Sequence, residues 1–345
     1  MDRLGEVRMQ TSRPAMEAAY SVRRSADVDE HAGHLSSWRQ EYDQLSCGHF
    51  TGMVRELWLH APRLQVFHEF TDQQTSQRCR PWSGSVWFGI PDGLGEGLVH
   101  FCGRLQPDER PRTLMAARAD AGFALRTPQR FGIYGVVLDE EWLAARCDAL
   151  GLAPLLQGRP EVCAAPLSPH RHVALCQTIE SMLALGASDE AAQPWGLRAM
   201  HILGGQLLRL LGQCCDDAAL QGPPASAQRR LALVMAARDM AAEPFNHLLS
   251  VEDLCAQLHL TPRTLHNHFL GTVGVSPAEF LRSVRLNACR RRLRGTCAEQ
   301  LHVQDVAAQW GFFHMGRFAQ AYRELFGELP SQTLRLSRQA APLSA

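Results

Sequence analysis

The chain has 345 residues, with 35 basic and 35 acidic side chains and therefore a formal net charge of zero. Apolar residues make up 46% and charged residues 20%, the balance of ordinary globular domains, and the length suffices for two separate cores. No apolar run reaches membrane-spanning length, and Met1-Asp-Arg-Leu-Gly-Glu6 lacks the basic and apolar blocks of a secretory signal, so a cytoplasmic address without membrane contact is expected. Eleven cysteines, odd in number and never spaced Cys-x-x-Cys, read as small buried thiols. They suggest neither a disulfide framework nor a metal site.

Residues 1–30 are polar and aperiodic, as a loose terminus would be. From His31 to Gln44 the spacing of Leu35, Trp38, Tyr42 and Leu45 predicts a short helix. Strands are expected at 52–60 and 64–70, around the turn Ala61-Pro62-Arg63, and again at 84–90, 98–102 and 131–138. Clusters such as Pro91-Asp-Gly-Leu-Gly-Glu-Gly97 separate them, a pattern of short strands and turns that suits a small barrel or sandwich. From Glu140 the character turns helical, with apolar residues three and four apart over 172–185 and 195–213. His170 and His172 have no carboxylate or third His at metal-ligand spacing and are expected at the surface. Gln221-Gly-Pro-Pro-Ala-Ser-Ala227 interrupts the helices and marks a linker over 221–228. The expected class is α+β. A β-rich domain over 31–220, a cupin-like barrel or sandwich with flanking helices, would be followed by an all-α domain over 229–338.

The last hundred residues contain one device twice, at 251–270 and 303–326: a short helix, a tight turn and a second helix with one apolar face. In the first copy Ser250 is an N-cap with Glu252 and Asp253 in the first turn. Thr261 caps the second helix, with Pro262 at its first position. Leu265 and Phe269 face its core, which leaves Arg263, Thr264, His266 and Asn267 outward. In the second copy Gly311 supplies the turn, and Phe318, Tyr322 and Leu325 face the core. His314, Gly316, Arg317 and Gln320 then lie outward, with Gly316 permitting close backbone approach. A helix over 277–293 would join the copies as a rigid spacer of about 25 Å. Two helix-turn-helix units so joined can read adjacent major-groove segments, with Arg suited to guanine and Asn to adenine.

Charge supports this placement. Between 249 and 338 eleven Arg stand against seven acids, so the rest of the chain carries the compensating negative charge. Every basic residue is Arg, a usage that base composition explains as well as function does. Arg290, Arg291, Arg292 and Arg323 are candidate phosphate contacts, although cations near a helix C-terminus also simply suit its dipole.

The residues Pro277-x-x-Phe-Leu, Arg285-Leu-x-Ala288, Val306-Ala, Trp310-Gly-Phe, Arg317-Phe and Tyr322-Arg-x-x-Phe-Gly327-x-x-Pro330 resemble the AraC/XylS family of bacterial transcription regulators. The resemblance covers roughly 230–336. Gln320 stands where the family often has a basic residue, and His314 where it often has Asp, which puts the target sequence in doubt and not the binding mode. The resemblance implies promoter DNA and RNA polymerase as partners, a homodimer, and a small-molecule effector. A narrower likeness runs through Trp38-Arg-Gln-x-Tyr42-Asp-Gln-Leu45, Gln65-Val-Phe-x-Glu69 and Trp82-x-x-Ser85-x-Trp87-Phe-Gly-Ile-Pro91. It is similar to the branch of the family that activates ethanolamine-utilisation genes, which implies ethanolamine and adenosylcobalamin as effectors. The Tyr42-Asp-Gln-Leu45 portion is shared by regulators with other effectors, so control of another catabolic pathway stays open.

Phe67, Trp82, Trp87 and Phe88, with Glu69 and Arg80 as polar handles, are the candidate lining of an effector cavity, although strand aromatics more often simply fill a core. No catalytic residues are expected. An enzyme reading, a DNA-repair alkyltransferase carrying a similar helix-turn-helix unit, would need a Cys in an activating setting, and no Pro-Cys-His arrangement occurs.

Overall fold

The computed structural model describes residues 18–60, 63–95, 97–106, 112–151, 158–217, 220–244, 250–295 and 301–340. In chain order the N-terminal half has β1 (Ala18–Ser25), α1 (Val28–Ala32), β2 (Arg39–Gln44), β3 (Gly52–Leu59), β4 (Leu64–Thr71), β5 (Thr75–Arg80) and β6 (Ser85–Pro91). It continues with β7 (His100–Phe101), β8 (Arg104–Leu105), β9 (Thr113–Arg118), β10 (Phe123–Thr127) and β11 (Phe131–Asp139). Then follow α2 (Glu140–Leu150), β12 (Val162–Pro166), α3 (Pro169–Gly186) and α4 (Pro194–Asp217). The C-terminal half holds α5 (Ala225–Ala242), α6 (Val251–Gln257), α7 (Pro262–Val273), α8 (Pro277–Arg294), α9 (Val303–Gln309), α10 (Met315–Phe326) and α11 (Pro330–Ala340).

The β-rich half is two antiparallel sheets, one in the order β1-β3-β4-β11-β6-β9-β12 and one in the order β2-β5-β10-β7-β8. Strand alternation sorts the large sheet's side chains between two cores. Val66, Val86, Phe88, Ile90, Val136 and Leu138 face α3 and α4. Phe67, Trp87, Met115, Ile133 and Val137 point the other way, toward Tyr42, Phe101, Phe123 and Leu125 of the small sheet. Gly135 and Gly89 lie opposite one another on β11 and β6, and a Cβ at either would collide with the ring of Phe67 or Trp87. Glycine there lets the two aromatic rings lie flat on the backbone and fill the space between the sheets.

Several expectations change. Ala18–Ser25, expected to be loose, pairs along its whole length with β3. The helix expected from His31 to Gln44 is instead the short α1 followed by β2, which pairs with β5. Trp38 and Tyr42 are four apart, which satisfies strand alternation as well as helical spacing, and long-range pairing decides. His172 is buried, with Nε2 2.7 Å from the carbonyl of Pro91. The linker is shorter than 221–228, because Gln221 bridges to Ala164 and α5 begins at Ala225. The turn residues Ala61 and Pro62 lie outside the described residues. No described helix is long and apolar enough to cross a membrane.

The two halves are clasped by charge. Arg238 of α5 donates to Asp43 at 2.8 Å and to Glu41. Arg291 of α8 donates to Asp43 at 2.6 Å and to Asp29 at 2.7 Å, and Arg290 donates to Asp27 and Glu328, each at 2.7 Å. Asn287 accepts the Gln44 amide at 3.0 Å and donates to the Gln44 carbonyl at 2.9 Å, so it completes the outer edge of β2 as a neighbouring strand would. Burial pushes the carboxyls of Asp27 and Asp43 up, but the guanidiniums beside them outweigh it and hold both below the usual 3.8. Folded-state values below the unfolded ones mean that this stabilisation is present above the ordinary carboxylate pKa and is lost as pH falls through the lowered values. Asp43→Asn is expected to lower the stability to urea at pH 7 by about 3 kcal/mol, and the gap from the parent protein should close in strong acid. An unchanged urea midpoint at pH 7 would remove the clasp from the account.

Candidate nucleic-acid interface

The helical half has two small cores threaded on one helix. Val234 and Ala237 of α5, Leu254 of α6, Leu265 and Phe269 of α7, and Phe280 and Val284 of α8 form the first. Leu286, Cys289 and Leu293 of the same α8 join Val306, Phe318, Tyr322, Leu325 and Leu334 in the second. α8 has 18 residues, about 27 Å by helical rise, so it fixes the two units relative to one another. The last helix, α11, was not expected from the sequence. It closes the second core through Leu334, and its Thr333 hydroxyl lies 2.9 Å from that of Tyr322.

Local chemistry sets each recognition helix. Ser250 and Asp253 form a reciprocal capping box at the start of α6. Thr261 accepts the Thr264 amide at 3.2 Å at the head of α7, with Pro262 in the first turn. His259, in the turn between α6 and α7, holds a left-handed φ of 52°, and Gly311 holds 83° at the equivalent turn before α10. Arg263, His266 and Asn267 are exposed on α7, while Thr264 is half-buried with its hydroxyl 2.9 Å from that of Thr261. His314, Gly316, Arg317 and Gln320 are exposed at α10. Open space stands where a Cβ of Gly316 would be, so the approach it permits is from outside the protein. Gln320 donates to Glu324 at 2.9 Å, which partly commits its amide to its own helix.

The arginines at the end of α8 do not act as one set. Arg290 is buried and Arg291 half-buried, and carboxylates on the β-rich half occupy both, so their assignment as phosphate contacts is corrected to a domain clasp. Each guanidinium already spends its donors on two different carboxylates, which leaves little donor face for a phosphate. Arg292 and Arg323 are exposed and keep that geometry. Two further candidates on this face escaped sequence reasoning. Phe313 is 64% exposed and Met315 37%, flanking His314 at the head of α10, where an apolar side chain can meet a thymine methyl. An apolar residue in a turn reads as core until the turn is placed.

The C-terminal ends of both recognition helices meet the β-rich half. Gly48 donates its amide to the carbonyls of Glu324 and Leu325 at 3.1 Å, and Gln44 Nε2 donates to Leu325 O at 2.6 Å. Arg126 of β10 lies against Gly274, the left-handed residue that ends α7. The N-terminal ends, which carry the exposed candidate side chains, are left uncovered by these contacts.

The proposed effector lining is not brought together. Phe88 faces the helix-covered side of the large sheet, whereas Phe67, Trp82 and Trp87 face the small sheet. Trp87 stacks on Phe123 with ring centroids 4.0 Å apart. Glu69 accepts from Tyr42 at 3.0 Å and pairs with His31 at 2.9 Å, so its carboxylate is satisfied internally. Arg80 alone of the six is exposed, and it lines a cleft of about 800 Å³ between the small sheet and α5.

Residues 254–336 match the family model described as a helix-turn-helix domain. Over 87 residues the chain is 39% identical to the XylDLEGF operon transcriptional activator of Pseudomonas putida, covering 25% of this chain and 27% of that protein. A probable thc operon regulatory protein of Rhodococcus erythropolis is 32% identical over 87 residues, 25% of this chain and 26% of its own length. The chain therefore spans about a quarter of the length of these curated relatives. A solved structure, a probable AraC family transcriptional regulator from Rhodopseudomonas palustris CGA009, aligns at 30% identity over 31% of this chain and 94% of that one, with a TM-score of 0.27. Residues 254–336 therefore form a helix-turn-helix domain.

Arg263→Ala and Arg317→Ala should each weaken binding to a duplex selected by the protein from a random pool by about tenfold or more, with unchanged thermal melting. Arg292→Ala and Arg323→Ala should instead weaken all sequences alike and reduce the salt slope by about one. Unaltered affinity in both of the first pair would move the base-reading face elsewhere.

Proposed function

We propose that the protein is a sequence-specific DNA-binding transcription activator of a catabolic operon, acting as a homodimer with RNA polymerase on promoter DNA and gated by a small molecule. The observation that carries this reading is the pair of outward recognition faces, Arg263, His266 and Asn267 on α7 and His314, Arg317 and Gln320 on α10, held on one spacer helix. The family model described as a helix-turn-helix domain matches the same segment, residues 254–336. Because the β-rich half grips α5, α8 and the end of α10, a change in its state alters how freely the two recognition helices can match adjacent grooves. Burial raises the thiols of Cys163 to about 11 and of Cys102 and Cys176 to about 12, which disfavours these three as the reactive Cys that the alkyltransferase alternative needs.

The effector-specific form of this reading, ethanolamine sensed with adenosylcobalamin, rests on the likeness through residues 31–91. The side chains there do not fit a corrinoid. Trp82 and Trp87 are buried among other aromatics, and the neighbouring His68 is held by Asp92 at 3.2 Å and packs on Tyr134. The test is the visible absorption of the full chain titrated with adenosylcobalamin, with and without ethanolamine, bound and free forms being separated by ultrafiltration. Saturable co-retention supports the ethanolamine reading. No retention with DNA binding intact assigns the protein to another catabolic operon.

A further inference from the structure

The cleft between the small sheet and α5 has the composition of a binding site. Its volume, about 800 Å³, falls within the range of small-molecule sites. Phe123 and Cys102 of the sheet side and Leu231 and Met235 of α5 supply apolar wall. At its mouth the β2–β5 register sets Arg39 directly opposite Arg80. Like charges at directly opposed positions of an antiparallel pair are unfavourable, and strands usually avoid them. The next outward pair is resolved, since Arg78 faces Glu41 and also binds Asp239 at 2.7 Å. Arg39 and Arg80 have no carboxylate partner among the described residues. Two arginines at directly opposed register positions beside an apolar hollow leave positive charge that an anion can neutralise.

We propose that this cleft binds a small organic carboxylate with an apolar body, its carboxylate held between Arg39 and Arg80 and its body between Phe123 and Leu231. A carboxylate matches the planar donor fork of Arg, and the walls favour a hydrocarbon body over a second charge. The same charges repel the ethanolammonium cation, so this site is separate from any ethanolamine site. Its walls come from both halves of the protein, so the ligand binds the docked arrangement and stabilises it. Coupling to DNA then follows by linkage, and this regulatory consequence rests on the effector-gated reading above, whereas the binding itself does not.

The test is calorimetric titration of the full chain with phenylacetate and with 4-methylpentanoate. Phenylacetamide, inorganic phosphate and ethanolamine serve as controls, and DNA affinity is measured in parallel. The expected result is saturable binding of at least one carboxylate, about tenfold or more weaker in both Arg39→Gln and Arg80→Gln, whose exposed side chains can change without loss of fold. Phenylacetamide and phosphate should bind at least tenfold more weakly than the best carboxylate. No binding by either carboxylate overturns the proposal, as does binding unchanged in both variants, equal binding of the amide, or equal competition by phosphate. Carboxylate binding without effect on DNA affinity keeps the site and rejects its regulatory link. Loss of DNA binding in the parent protein rejects the regulator reading and leaves the site standing.

Discussion

The interlock of buried carboxylates on the β-rich half with buried guanidiniums on α5 and α8 governs how the rest of the structure is arranged. Asp27 and Asp43 are almost wholly removed from solvent, as are Arg238 and Arg290. A buried charge without a partner is strongly unfavourable, so both sets can be buried only because they meet one another. Asp27 serves twice, with one oxygen capping α1 and the other holding Arg290. The neutral whole-chain charge thus hides an acidic face and a basic face that meet inside one molecule.

α8 sits at the centre of this arrangement. One face builds the cores of both helix-turn-helix units, and another meets the β-rich half through Asn287, Arg290 and Arg291. A displacement at the sheet is therefore felt at both recognition helices together, because one rigid element joins all three. The space between the sheets is filled by Phe67, Trp87 and Phe123, so the roomier hollow lies at the boundary of the halves, where occupancy acts on their packing directly.

Local signals made the helical half legible in the sequence. Ser250, Thr261 and Pro262 announce helix starts by their own hydrogen-bonding and φ preferences, and Leu265 and Phe269 mark the inner face by spacing alone. The β-rich half was less legible because its strands are specified by distant partners. β5, β9, β10 and β12 contain Arg, Gln, Ala and Pro residues that carry weak strand preference, and only pairing makes them strands. The misread role of Arg290 and Arg291 has the same origin. A run of arginines looks alike whether it meets phosphate or carboxylate, and the carboxylates stand some 250 positions away in the chain. The exposed Arg263 and Arg317 were readable because their neighbours, Leu265 and Phe318, fix the inward direction.

Asn287 has one more consequence. Its side-chain amide supplies a donor and an acceptor to the outermost strand of the small sheet, at a position where another chain's strand could otherwise pair. Separation of the halves would uncover that strand, together with the unneutralised acids beside it. Those acids then act as gatekeepers, since mutual repulsion between two such edges discourages them from zipping into aggregates. The same carboxylates that hold the molecule shut thereby keep an opened molecule from sticking to its own kind.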